Sequence, residues 1–259
     1  MMLWKNALMG LWREPVRGCK VSGLFCSAVV PAAGQGSRMG SADGSGKMFF
    51  DIGGIPVIGH TLRTLDSCPE IQEIIVSARQ EDILAIADMC KRLGLRKIKQ
   101  ILRGGETRAE SVLFAALESS PRTDIVVIHD GARPCVTPGL CRRVIKKAAQ
   151  TGGAVPGLRI SDTVKEIDST LKITKTLDRN RLITVQTPQC FEPGIVKGAL
   201  TVSIQKKLLL TDDCSAVEAM GMPVHMVDGD KNNIKITTKE DLLLADMILK
   251  NRMKPLRLT

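Results

Sequence analysis

The stretch LFCSAVVPAAGQGSRMGSADGSGK, Leu24 to Lys47, decides the fold. Its first part, Leu24–Pro31, is a short apolar run with no polar alternation, which reads as a strand buried on both faces. A Gly/Ser-rich loop follows from Ala32 to Gly46. Beyond it the pattern repeats with different side chains. Ile55–Ser67 reads as a helix, Ile71–Ala78 (IQEIIVSA) as a strand and Gln80–Leu93 as a helix. Lys97–Leu102 is the next strand, Thr107–Ser119 a helix, Asp124–His129 a strand and Pro138–Gln150 a helix. Strands separated by helix-length segments demand crossover connections, and those put a mostly parallel sheet between two helical layers.

Right-handed crossovers make this an α/β, doubly wound, Rossmann-like sandwich. The alternation breaks at Ile160–Leu177, where β-prone and polar residues alternate around Asp168-Ser169-Thr170. That is a hairpin too polar for the middle of a sheet, and it predicts a protruding β-hairpin arm at about 158–181. Exposed strands invite a second chain, so the arm is also the expected homodimer contact. Helices are expected at Glu192–Lys207, Asp213–Met220 and Lys239–Lys250, and strands at Pro223–Val227 and Asn233–Thr237.

The chain has 259 residues, 44% hydrophobic and 25% charged, which excludes a disordered or fibrous protein. No run of about 18 uncharged apolar residues occurs, so no membrane span is expected. Aromatics are 3% with no Tyr, which argues against base stacking and a nucleic-acid partner. The net charge is +10, but residues 1–28 carry +3 and residues 250–259 carry +4, leaving only +3 on the body. We read 1–23 as an N-terminal extension without a secretory signal, 24–249 as one catalytic domain, and 250–259 as a basic tail. The eight Cys form no Cys-x-x-Cys pair and suit a reducing, cytoplasmic location.

Two segments carry the chemistry. In Pro31–Gly40 (PAAGQGSRMG), Gly34 and Gly36 let backbone N–H groups face an anion. The glycine spacing fits neither a dinucleotide fingerprint nor a Walker A loop, since Gly46-Lys47 is followed by Met48. Arg38 and Lys47 place two cations on one loop, able to wrap a triphosphate. In His129–Pro134 (HDGARP), Asp130 follows a strand's carboxyl end, where open α/β sheets bind ligands and where a carboxylate can take Mg²⁺. Gly104–Ser111 opens a helix with N–H groups and Ser111, and equally fits a capping box at Thr107–Glu110. Lys235 is expected on one face of the late strand Asn233–Thr237.

These runs, in order, resemble the 2-C-methyl-D-erythritol 4-phosphate cytidylyltransferases of the non-mevalonate isoprenoid pathway. The matching segments are PAAGQGSRMG (31–40), GGETRAESV (104–112), HDGARP (129–134), SDTVK (161–165), TLDRNRL (176–182), TPQCF (187–191), TDDCSAVE (211–218) and NNIKIT (232–237). The resemblance implies a Rossmann-like nucleotidyltransferase fold, a homodimer interlocked through the arm, and CMP transfer from CTP with Mg²⁺, releasing pyrophosphate. It implies that Ala32, Ala33, Gly34 and Gly36 line the CTP site and that Arg38 and Lys47 are catalytic, holding its phosphates. Gly105, Glu106 and Ser111 would contact cytosine and ribose, with Gly131 and Arg133 nearby. Asp130 would bind the metal and the acceptor's hydroxyls, Lys235 would hold the acceptor from the same chain, and Thr163 and Arg179 would reach the acceptor from the partner's arm. The family's loop usually reads Pro-Lys-Gln before an aromatic, whereas here it is Gly46-Lys47-Met48-Phe49 and about two residues longer. The alternative acceptor is a pentitol phosphate such as ribitol 5-phosphate, and a fold-retaining nucleotide sensor is the alternative outside enzymes.

Overall fold

In the computed structural model, residues 23–34 and 46–253 are described. The extension at 1–22, the loop residues 35–45 with Gly36 and Arg38, and 254–259 lie outside the described residues. The strands among the described residues are β1 (Cys26–Pro31), β2 (Asp51–Ile52), β3 (Ile55–Pro56), β4 (Ile71–Ala78), β5 (Ile98–Arg103), β6 (Ile125–Ile128), β7 (Gly153–Arg159), β8 (Lys165–Ile167), β9 (Ile173–Thr176), β10 (Ile183–Val185), β11 (Gln189–Phe191) and β12 (His225–Asp228). β1 is buried at every residue because sheet neighbours flank it and helices cover both of its faces.

The main sheet runs β10-β7-β11-β6-β1-β4-β5, with β12 also pairing β7. Its centre, β6-β1-β4-β5, is parallel throughout, so Pro31, Ala78, Arg103 and Ile128 all finish at one edge. β11 joins β6 antiparallel, with Gln189 opposite Ile128. β10 and β11 both run antiparallel to β7, so 183–191 is one interrupted strand.

Helices Val57–Ser67, Ile83–Arg92, Pro138–Thr151 and Lys239–Met253 pack one face of the sheet around an aliphatic core that includes Leu62, Ile74 and Leu140. Helices Arg108–Leu117, Pro193–Gln205 and Asp213–Ala219 cover the other, around Ile75, Val126 and Phe191. Local signals set their ends. Thr137 accepts from Leu140 N–H at 3.2 Å before Pro138, and Gly152 closes the same helix at φ 82°, a left-handed conformation costly for a side chain.

The arm is the hairpin β8–β9, exposed along both strands. Its turn is held by Asp168, whose Oδ1 accepts from Thr170 N–H (2.9 Å) and Lys172 N–H (3.1 Å).

Three sequence expectations need correction, and three strands of the main sheet lie outside them. Asn233–Thr237 is no strand: its Ile/Thr alternation has no neighbouring strand, and single bonds pin it, among them Ile236 N–H to Ala132 O at 2.8 Å. Gln80–Asp82 is a separate short turn, so that helix begins at Ile83. The last helix continues to Met253, where Arg252 donates to Cys135 O at 2.8 Å, so the expected tail begins later than residue 250. β7, β10 and β11 were not anticipated, because β7 (GAVPGLR) reads as a turn and the other two are three residues each.

Candidate active site

The carboxyl edge of the parallel strands opens into a cleft of about 870 Å³. Ala33, Gly34 and Lys47 line one side, Gly105, Glu106 and Ser111 another, and Asp130 and Lys235 the end. Eight of the expected site residues therefore share one cavity. Ala32 is buried behind it, donating to Ser77 O at 2.7 Å. Gly131 and Arg133 flank Asp130 outside the lining.

The two loops touch at a point that only glycine fits. A Cβ on Gly104 would meet Ala33 Cβ at 2.6 Å and Ser111 Oγ at 2.7 Å. Thr107 and Glu110 form the expected capping box, with Glu110 N–H donating to Thr107 Oγ1 (3.1 Å) and Thr107 N–H to Glu110 Oε2 (2.9 Å). Ser111 Oγ donates to Thr107 O (2.9 Å) and accepts from Gly105 N–H (3.1 Å), so it braces the loop as well as facing the cleft. On the other side, Met48 packs on the Asp130 turn, where a Cβ on Gly131 would lie 3.3 Å from its sulfur.

Asp130 is held from its backbone and its side chain. Its N–H donates to Thr187 Oγ1 at 3.1 Å. The Arg133 carbonyl can only accept, so the ring proton of the neutral imidazole sits on Nε2 and is directed at Arg133 O (3.3 Å), and Nδ1 accepts from the Thr187 hydroxyl (2.9 Å). Burial lowers the His129 pKa to about 4, so the ring is neutral. Asp130 Oδ1 accepts from Arg108 at 3.1 Å, Oδ2 pairs with Lys235 at 2.8 Å, and Arg133 Nε lies 3.7 Å away. Burial alone would push the Asp130 carboxyl up, but Arg108, Lys235 and Arg133 outweigh it and hold it well below the usual carboxylate range.

This saturation bears on the metal. Mg²⁺ usually takes one or two carboxylates plus substrate phosphates. Asp130 presents both oxygens to three cations. A dication at Asp130 would compete with these cations for the carboxylate and would draw its other ligands from substrate phosphates.

Thr163 and Arg179 lie outside the cleft of their own chain, exposed at the base of the arm, where Arg179 donates to Ser161 O. Sequence reasoning passed over Arg108, Asp213 and Thr187, although each lies within a motif already singled out. The available signal was a charged or hydroxyl residue beside an element end.

The fold and cleft define an α/β nucleotidyltransferase-type protein, with a glycine-rich loop and a cation-ringed carboxylate at the carboxyl edge of a mostly parallel sheet. The family model for 2-C-methyl-D-erythritol 4-phosphate cytidylyltransferase matches residues 26–251, and the chain belongs to that family. A relative of that name from Pelotomaculum thermopropionicum is 41% identical over 227 residues, covering 87% of this chain and 94% of the relative. One from Syntrophus aciditrophicus is 42% identical over 224 residues, covering 86% and 95%. The crystal structure of 4-diphosphocytidyl-2C-methyl-D-erythritol synthase from Anaerococcus prevotii superposes with a TM-score of 0.78 at 30% identity, covering 89% of this chain and 98% of that one. The chain is thus a cytidylyltransferase enzyme of the nucleotidyltransferase class. No helix among the described residues is long and apolar enough to cross a membrane.

Proposed function

We propose that this chain transfers CMP from CTP to 2-C-methyl-D-erythritol 4-phosphate, yielding 4-diphosphocytidyl-2-C-methyl-D-erythritol and pyrophosphate. The observation that carries this reading is the meeting, in one cleft, of Ala33, Gly34 and Lys47, the Gly104–Ser111 turn and the Asp130–Lys235 pair. The acceptor's phosphate oxygen attacks the α-phosphorus of CTP. A new P–O bond forms there as the bond to the β-phosphate oxygen breaks, and pyrophosphate departs with that electron pair. The acceptor is already an anion, so no general base is needed. The obstacle is repulsion between phosphates, which positioned cations relieve.

In this reading Ala32, Ala33, Gly34 and Gly36 cradle the nucleotide, and Gly105, Glu106 and Ser111 face its base and ribose, with Gly131 and Arg133 behind them. Arg38 and Lys47 neutralise the triphosphate. Lys235, steadied by Asp130, meets the acceptor's phosphate. Thr163 and Arg179 approach the acceptor from a second copy, since they do not reach the cleft of their own chain. That requires a homodimer through the arm, supported by exposed Ile167, Leu171 and Ile173 on the hairpin. Mg²⁺ is proposed to enter as the counter-ion of the triphosphate. A cytoplasmic location accords with the seven described cysteines, all of them buried free thiols.

Pyrophosphate release, measured with each of the four common nucleoside triphosphates and with methylerythritol phosphate or ribitol 5-phosphate as acceptor, tests the reading. Release is expected with CTP and methylerythritol phosphate. A preference for ribitol 5-phosphate would reassign the acceptor, and no release with any pair would remove the activity.

A further inference from the structure

Arg108 spans the gap between two carboxylates on different elements. Its NH1 and NH2 donate to Asp213 Oδ1 and Oδ2, both at 2.8 Å, in a two-pronged pair. NH2 also reaches Asp130 Oδ1 at 3.1 Å. Asp213 is fully buried at the start of the helix Asp213–Ala219. That helix is tied to the sheet by Gln189 of β11, which donates to Asp212 Oδ2 (2.8 Å) and accepts from Cys214 N–H (2.9 Å). β11 pairs with β6, the strand that leads into Asp130. A closed ring results, running from β6 through Asp130, Arg108, Asp213 and Gln189 back to β6.

The charge balance shows what this ring is for. Asp130, Arg133 and Lys235 together carry a net charge of +1, and adding Arg108 and Asp213 leaves it at +1. The added pair supplies no net charge to the cleft. What it supplies is direction: Oδ1 of Asp130 is committed to Arg108, which leaves Oδ2 for the Lys235 ammonium at 2.8 Å. Lys235 is the exposed residue of a non-strand segment between the buried Asn233 and Ile236, and its four-carbon side chain would otherwise have many rotamers.

We propose that Arg108 and Asp213 are positioning residues that orient Asp130 so that its Oδ2 steadies Lys235 over the acceptor end of the cleft. This rests on the transfer reaction proposed above and deepens it, because it assigns the pair to acceptor binding and not to the nucleotide. Asp213 acts only through Arg108, and Arg108 through Asp130.

The test compares wild type, Asp213→Asn, Arg108→Lys and Lys235→Met, each checked for folding by thermal melting. Asp213→Asn keeps the side chain's shape but weakens the two-pronged pair. Arg108→Lys keeps the charge at a partly exposed position and loses the fork, so it serves if the buried change fails to fold. Each is expected to raise KM for the acceptor about tenfold, as losses of outer supports commonly do, with KM for CTP within about twofold. Combined with Lys235→Met, either is expected to add little, because the lysine is the element they act upon. An equal rise in both KM values, or full additivity with Lys235→Met, would overturn the proposal. Isotope-edited NMR of the lysine ammonium groups reads the contact without turnover. The Lys235 ammonium is expected to be protected from exchange in wild type and to lose that protection in Asp213→Asn. Equal exchange in both would also overturn it. A wild-type protein that releases no pyrophosphate condemns the transfer reading, while the NMR comparison still decides the placement of Lys235.

Discussion

The Asp130 end of the cleft and the β8–β9 arm hold their charged groups in opposite ways. Asp130 is buried, bonded through backbone and side chain, and backed by the sheet. The arm is exposed on every strand residue, and it keeps its shape through its own ladder and the Asp168 turn. The first region is rigid because its charges are packed against one another in a protein interior. The second is a hairpin without a core, which suits the role in a second copy proposed for it above. Activity and stability should therefore be coupled at Asp130 and uncoupled on the arm.

The largest effect should come from Asp130→Ala. It strands Arg108, Arg133 and Lys235 without their shared partner, so a stability loss of about 3–5 kcal/mol is expected, with a fall in kcat/KM of roughly a hundredfold or more. Urea unfolding and steady-state kinetics check the two together; a stable, inactive variant would break the coupling. Arg179→Ala sits on the other side of the comparison. It should raise KM for the sugar phosphate about tenfold while leaving the melting temperature and KM for CTP nearly unchanged. A larger change for CTP in paired substrate titrations would remove the arm from the acceptor.

A pH experiment probes the buried side alone. His129 is held at about 4 against an ordinary value of 6.5, so between those values the unfolded chain takes up a proton that the folded chain refuses. Stability should then fall as pH drops through that window, by up to about 3 kcal/mol, and the slope should flatten in His129→Gln. Asp130, depressed below the usual carboxylate range, loses its contribution only at still lower pH. Chemical unfolding at several pH values would measure this, and an identical slope in the variant would contradict it. The smallest effect belongs to a local cap. Thr107→Ala should cost about 1 kcal/mol by removing the side-chain acceptor for Glu110 N–H, as read from its unfolding midpoint.

How much of this could be read from the sequence follows the same division. The apolar run of β4 matched its observed limits, Ile71–Ala78, since a strand buried across its sheet has little choice of composition. The arm was legible from its polar alternation and its Asp168 turn. β7 was not, because Gly153, Pro156 and Gly157 signal breaks in isolation and become a strand only when β10, β11 and β12 pair with it. Asn233–Thr237 failed in the opposite direction, with strand-like alternation and no partner. Within the site, Asp130 stood out because it follows a strand. Arg108 and Asp213 did not, because a pair 105 residues apart in the chain leaves no local trace.

The most direct test of the account is a crystal structure of the protein with CTP, Mg²⁺ and methylerythritol phosphate. The account predicts cytosine against the Gly104–Ser111 turn, the triphosphate beside Lys47, and the acceptor's phosphate at Lys235 with Arg179 arriving from the other copy. Nucleotide bound elsewhere, with Lys47 and Lys235 remote from any phosphorus atom, would contradict it.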